Sequence, residues 1–253
     1  MLGGVFSLAR AGTLAGALVA VHAGALAVVL AAALAAASVA PLVQGGLIPP
    51  PWRVVTLPQQ DVPVTRYSFE TVDGREALRI QTLGSYGNLV HELPSAQAPV
   101  RLRWAWRLQE PNPAVDLRVK AGDDAAVKVC LSFDLALDRV PFIERQLLKL
   151  ARARTGQDLP AATLCWVWAG AEAKGALIPN VYSRRVRYIV LRNREDALTT
   201  WLEESRDVAA DFRRAFGDES AEPPPLSAII VAGDGDNTGG ASLAFVSGLQ
   251  VEP

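Results

Sequence analysis

Histidine is nearly absent from this sequence. Only two of the 253 residues are histidine, His22 and His91, and His22 lies in an apolar N-terminal stretch. This composition argues against a Ser-His-Asp triad and against a zinc site with several histidine ligands. His91-Glu92 has no second histidine four residues later, so it is not a zinc-protease motif.

Other catalytic and binding signatures are also missing. Gly170 and Gly175 have the separation of phosphate-loop glycines, but Lys174 precedes the second glycine instead of following it. Leu83 breaks the nucleophile-elbow pattern around Ser85. Lysine and arginine number 25 against 26 aspartates and glutamates, and without a basic surplus nucleic acid is not expected as the main partner.

Charge is absent from residue 11 to residue 43, where no Asp, Glu, Lys or Arg occurs, and Arg10 stands just before this run. Residues 1–43 are therefore interpreted as an export signal, cut near Ala37, or as an uncut membrane anchor. The third alternative is that this segment is neither a signal nor an anchor and that the protein is soluble. Under the first two, the protein is exported and is periplasmic or anchored in the envelope, with membrane contact through residues 11–43.

The rest of the chain divides into a Pro-rich linker, residues 44–51, and a domain over residues 52–253 with a size that suits one core. Apolar residues alternate with polar ones, or strand-forming residues cluster, in several segments. These segments are 101–108, 127–133, 164–168, 186–191, 226–232 and 243–248.

Two helices are predicted within this domain. The first runs from Trp201 to Phe216, begins with Thr200 and Glu203 at capping-box spacing, and packs an apolar stripe on the sheet. The second runs from Phe142 to Arg154 and is basic. It is interpreted as a helix that covers the sheet in preference to one that lies on an anionic membrane.

Short strands with helical insertions predict a mainly β fold: a jelly-roll-like antiparallel β-sandwich, galactose-binding-like, with one or two packed helices after an N-terminal apolar helix. Cys130 and Cys165 are the only cysteines, and each lies in a predicted strand, pointing away from the apolar row. We expect them to pair in an oxidising compartment, and buried free thiols are the alternative.

Two loops concentrate acidic side chains next to apolar strands. The second, residues 233–240, opens like a calcium loop, but Phe245 stands where an EF-hand needs glutamate. The candidate ligand-binding residues of both loops are Lys120, Asp123, Asp124, Asp234, Asp236, Asn237 and Thr238. No cofactor is expected, with calcium left open at Asp234 and Asp236. Ordinary turn chemistry is the competing interpretation.

If the loops meet, up to four carboxylates would repel one another, and a cation, Lys120 or nearby arginines would have to offset that repulsion.

Five motifs from residue 52 onward also resemble the uncharacterised bacterial family catalogued as domain of unknown function 3047. They are Trp104-x-Trp106, Lys120-x-Gly122-Asp123-Asp124-Ala125-Ala126, Pro179-Asn180-x-Tyr182, Arg206-Asp207-Val208 with Asp211 and Phe216-Gly217, and Asp234-x-Asp236-Asn237-Thr238-Gly239.

The resemblance implies a galactose-binding-like jelly roll and no assigned activity. Gly235 and Gly240 depart from the family's usual Thr and acidic residue, which predicts a more flexible loop.

The first functional hypothesis is a non-catalytic carbohydrate-binding-like module that binds a glycan or another envelope component. The alternatives are a structural or assembly protein of the envelope, and a glycan-acting hydrolase with paired aspartates. The candidate sugar platforms are Trp52, Trp104, Trp106, Trp166, Trp168 and Tyr182, although the alternation places most tryptophans in the core.

Overall fold

The computed structural model describes residues 39–96 and 98–252, and the predicted N-terminal apolar helix lies almost entirely outside them. In this described part, strands dominate and two helices accompany them. The strands are β1 (Arg53–Val55), β2 (Arg66–Val72), β3 (Arg75–Leu83), β4 (Asn88–Ala96), β5 (Arg101–Glu110), β6 (Val127–Phe133), β7 (Ala162–Trp168), β8 (Leu177–Pro179), β9 (Val186–Arg192), β10 (Leu202–Asp207), β11 (Leu226–Ala232) and β12 (Ala241–Glu252). The helices are α1 (Phe142–Thr155) and α2 (Val208–Phe216).

The strands form two sheets that pack face to face. The seven-stranded sheet has the order β1-β4-β11-β6-β7-β9-β8, and the five-stranded sheet has the order β10-β5-β12-β3-β2. The predicted mainly β, jelly-roll-like sandwich with two helices is confirmed. Paired strands are antiparallel except for β7 and β9, which run parallel. β8 comes between them in the chain and pairs antiparallel with β9, so the chain reverses direction twice between β7 and β9.

Tryptophan fills the space between the sheets. Trp104 and Trp106 of β5 contact Trp166 and Trp168 of β7, with ring centroids 5.6 Å and 5.9 Å apart. All four rings are buried, because the period-two pattern of each strand turns them towards the opposite sheet. The prediction that these tryptophans form the core is confirmed.

A second apolar cluster covers the outer face of the seven-stranded sheet. The segment between β5 and β6 crosses this face and packs Val115 and Leu117 against Val167. Cys130 and Cys165 lie in the same cluster, opposite each other in register, and form a disulfide. The predicted pairing is confirmed, as is the placement of both cysteines on the face away from the tryptophans.

The chain upstream of β1 packs on the sandwich. Leu42 and Trp52 are buried, and the Trp52 indole donates to the Ala40 carbonyl oxygen at 2.9 Å. The backbone N–H of Ala40 donates to Nε2 of His91, so the histidine outside the apolar run has a structural partner. Packed residues therefore extend upstream of the linker expected at residues 44–51.

The predicted helix from Trp201 to Phe216 is wrong over its first half. Residues 202–207 form β10, which pairs with β5 at the edge of the five-stranded sheet, and its side chains alternate between half-buried and exposed. Pairing satisfies backbone groups of β5 that a helix would leave without partners. Thr200 is not the cap: the Asp207 side chain accepts from the N–H of Ala210 and starts α2.

α2 packs its apolar side into the sandwich, as predicted for this part of the stripe. Phe212 contacts Phe133, with ring centroids 4.8 Å apart. Asp211 accepts from the Trp166 indole at 2.8 Å and from two nitrogens of Arg206, so these family-motif residues hold the helix to both sheets.

α1 agrees with its predicted bounds within a residue but not with its expected orientation. Leu148 is its one buried residue, while Ile143, Leu147 and Leu150 are exposed. The expectation that its apolar side covers the sheet is wrong, because the inward face carries Glu144 and Arg152, which bind polar partners in the loops beside it.

We expect replacement of both Cys130 and Cys165 by alanine to lower the free energy of unfolding by about 2–4 kcal/mol, since the disulfide closes a loop between residues 35 positions apart. Urea unfolding of the full chain measures the loss, and the parent protein under reductant is the matched control. Equal stability of the parent and the double variant, or two free thiols by mass spectrometry of non-reduced protein, would contradict the disulfide.

Candidate functional site

The two acidic loops meet, as predicted. Both oxygens of the Asp124 carboxylate accept hydrogen bonds from the loop between β11 and β12. The donors are the N–H and side-chain amide of Asn237, at 3.1 Å and 3.2 Å, and the N–H and hydroxyl of Thr238, at 2.8 Å and 2.5 Å. Asp124 is buried and fully bonded, so it is the clamp that joins loops 110 residues apart.

The loop between β11 and β12 is held tightly at its two unusual glycines. A Cβ atom at Gly235 would lie 2.5 Å from the Gly240 carbonyl oxygen, and one at Gly240 would lie 2.4 Å from the Asn112 side chain. The carbonyl oxygen of Gly240 also accepts from the N–H of Gly84 at 2.9 Å. Neither glycine has room for a side chain, because the loop lies directly against its neighbours, and the flexibility expected from the glycines stays a prediction.

A buried ion pair lies at the centre of the carboxylate cluster, which consists of Asp123, Asp124, Asp234 and Asp236. Lys128 of β6 donates to one oxygen of Asp234, and the other oxygen accepts from the N–H of Ala125 at 2.7 Å. Burial alone would lower the pKa of Lys128, but the charge of Asp234 raises it well above its ordinary value. Lys128 therefore remains an ammonium and supplies the positive charge that the cluster needs.

Lys128 was missed by sequence reasoning, which expected Lys120 or arginines to offset the carboxylates. One feature of the sequence could have indicated Lys128: it is a charged residue within an apolar strand. It lies between the inward-facing Val127 and Val129, on the face of β6 that also carries Cys130. The sequence indicates Asn180 only as part of a family motif. Its side-chain amide donates to Asp123 and to the Tyr188 hydroxyl, which places it directly in the site.

Asp123 and Asp236 differ from the other two carboxylates, because each has a buried oxygen, Oδ1, without a hydrogen-bond partner in the described part of the protein. Burial, followed by the charge of Asp234, raises the pKa of Asp123 to about 6. Burial and the charges of Asp234 and Asp124 raise the pKa of Asp236 to about 6. The site thus contains two acidic groups with unused acceptor capacity.

The rim of the site is polar and aromatic. Tyr182 is 59% exposed, and its hydroxyl donates to the Asn237 side-chain oxygen at 2.6 Å. Partial burial and the charges of Asp123 and Asp236 raise the pKa of this phenol, which therefore stays protonated at neutral pH. Lys120 is exposed, with its ammonium nitrogen 5.3 Å from the centre of the Tyr182 ring, and is not among the carboxylates.

The predicted sugar platforms are mostly inaccessible. Five of the proposed aromatic residues are buried: Trp52, Trp104, Trp106, Trp166 and Trp168. Tyr182 is the exposed member of the predicted set and lies at the rim of the site. An aromatic contact with a ligand at this site would therefore come from Tyr182.

Both oxygens of Asp234 have partners within the protein, and the calcium site left open at Asp234 and Asp236 stays a prediction. One oxygen accepts from the Lys128 ammonium and the other from the N–H of Ala125. Across residues 39–96 and 98–252, no group of three or more His, Cys, Asp or Glu side chains is arranged to hold a metal ion. Within the same residues, no helix is long and apolar enough to cross a bilayer.

Comparison with known proteins identifies the family. The sequence model described as protein of unknown function (DUF3047) matches residues 50–250. The chain belongs to this family. No protein with a curated description matches this DUF3047 chain. Among solved structures, it is similar to endoglucanase cel12A from Rhodothermus marinus, with 13% identity, a TM-score of 0.39, and coverage of 79% of this chain and 95% of that one.

In this DUF3047 protein, Asp124→Asn and Asp236→Asn are expected to have different effects. Asp124→Asn places an amide N–H₂ against bonded donors and should lower the free energy of unfolding by about 2–3 kcal/mol. Asp236→Asn removes a charge that Asp234 and Asp124 disfavour and should leave stability unchanged or raised at neutral pH.

The pH dependence gives the control for this pair. A carboxyl whose pKa is raised to about 6 in the folded state stabilises the fold at low pH, and that contribution is lost as the pH rises through 6. Any gain in stability of Asp236→Asn over the parent protein should therefore disappear at acidic pH. Thermal unfolding of both variants across this range is the measurement, and equal destabilisation of both at neutral pH would mean that Asp236 only shapes the turn.

Proposed function

We propose that this protein is an exported envelope module that binds a glycan, without catalysis, at the carboxylate cluster. The observation that carries the proposal is the pair of buried acceptor oxygens on Asp123 and Asp236 that no donor in residues 39–96 and 98–252 satisfies, next to the exposed ring of Tyr182. An ionised carboxylate only accepts hydrogen bonds, so its natural ligands present donors, and sugar hydroxyls do so in pairs.

The arrangement of the rim supports a sugar over a simple cation. Lys128 already provides the positive charge inside the cluster. At the rim, Tyr182 offers an aromatic face, Lys120 offers donors, and the Asn237 side-chain oxygen offers an acceptor. A few placed polar groups beside an aromatic surface are the usual means of orienting a small polar ligand.

Export is supported by two features. The uncharged run over residues 11–43 has the composition of a signal or an anchor. The disulfide between Cys130 and Cys165 requires an oxidising compartment to persist, such as the periplasm.

A hydrolase is the second candidate, because the pKa of about 6 at both Asp123 and Asp236 is near the range that general acids and bases use. Release of new reducing ends from a glycan by the parent protein, lost in both Asp123→Asn and Asp236→Asn, would favour it over the binding module.

The test uses a glycan array, followed by calorimetric titration with the oligosaccharides that bind. Asp236→Ala should weaken the affinity of the full chain about tenfold or more, since a hydrogen bond to a charged group is lost. Tyr182→Ala should weaken it as well, and Asp61→Ala, in an exposed loop, is the matched control.

A protein that binds no glycan on the array, and whose melting temperature no glycan raises, would contradict the proposal and leave the structural or assembly role. Parent-like affinity in both Asp236→Ala and Tyr182→Ala would place the binding site elsewhere.

A further inference from the structure

Helix α1 presents apolar side chains to solvent. Phe142, Ile143, Leu147 and Leu150 are 63%, 68%, 61% and 47% exposed. At 3.6 residues per turn these four share one face, and the buried Leu148 lies on the opposite one. A helix on a globular domain ordinarily turns its apolar stripe to the core, so this face is available for a partner.

Cations lie beside and on the exposed face. Lys149 borders the face beside Phe142, Arg154 lies on the face one turn beyond Leu150, and neither has an ion pair in the described part of the protein. Arg145 stacks on the Phe142 ring, 5.6 Å from its centre. The one acidic residue of α1, Glu144, is neutralised by Arg184 and Arg185, so the outward side of the helix carries net positive charge.

An apolar groove of about 360 Å³ adjoins this face, between α1 and the segment that leads into β9. Its apolar lining comes from Leu147, Leu148, Ala151, Leu159, Pro160 and Val181. Arg184, 69% exposed at its side chain, also borders the groove. The apolar surface therefore extends beyond the helix itself.

We propose that α1 docks on the surface of an anionic lipid bilayer. Its apolar face would enter the boundary between head groups and acyl chains, with Lys149 and Arg154 against anionic head groups. Charge selects this occupant: a second copy of the chain would bring two positive faces together, whereas an anionic bilayer neutralises the cations of the face.

The test places an environment-sensitive NBD fluorophore on Ile143→Cys in the full chain. Cys130 and Cys165 are bonded to each other, so the new thiol is the reactive one. The control label is at Asp61→Cys, in an exposed loop after β1, at the opposite edge of the seven-stranded sheet from β8. Each protein is titrated with vesicles of phosphatidylcholine alone or mixed with phosphatidylglycerol.

Emission from position 143 should rise and shift to the blue with the mixed vesicles and not with phosphatidylcholine alone, while position 61 stays unchanged. This readout is local, so attachment through the apolar N-terminal residues cannot reproduce it. On the same background, Lys149→Gln and Arg154→Gln should each weaken the lipid response about fivefold.

Three results would overturn the proposal. The first is no change at position 143 with the mixed vesicles. The second is the same change with phosphatidylcholine alone, which would remove the role of charge. The third is a change that depends on protein concentration without vesicles, which would assign the face to a second copy of the chain.

Discussion

The ion pair between Lys128 and Asp234 holds together a cluster that would otherwise repel itself. Four aspartates converge from two distant loops, and both members of this pair are buried. Without the ammonium, Asp234 would be an uncompensated buried charge next to Asp124, a situation that costs several kcal/mol. The pair allows Asp124 to clamp the loops and leaves Asp123 and Asp236 with unused acceptors.

The segment between β8 and β9 belongs to both surfaces that we propose as functional. On one side, Asn180 and Tyr182 contact Asp123 and Asn237 in the carboxylate cluster. On the other side, residues from Asn180 to Val186 line the groove beside α1. A glycan at the cluster and a bilayer at α1 would therefore contact the same short stretch of chain, which is consistent with a ligand presented close to a membrane.

Most of the fold could be predicted from the alternation of apolar and polar residues. A row such as Leu102 to Leu108, with an apolar residue at every second position, predicts a strand that turns one face to the core. The pattern failed at residues 201–207, where Leu202, Glu204 and Arg206 suit a strand as well as a helix and pairing with β5 decides between them. In the site, Asp-rich loops predicted convergence. Lys128 and Asn180 were missed because their roles arise only when the chain folds: β6 then meets the loop between β11 and β12, and the residue after β8 meets the segment between β5 and β6.

Burial and mutual charge keep two carboxyl groups of this cluster, those of Asp123 and Asp236, poorly satisfied. Carbon-13 NMR titration of the aspartate carboxyl groups in the full chain tests it most directly. We expect Asp123 and Asp236 to titrate at a pH of about 6, while the ordinary value for aspartate is about 3.9. Titration of both groups at the ordinary value would show instead that they are solvated or fully bonded.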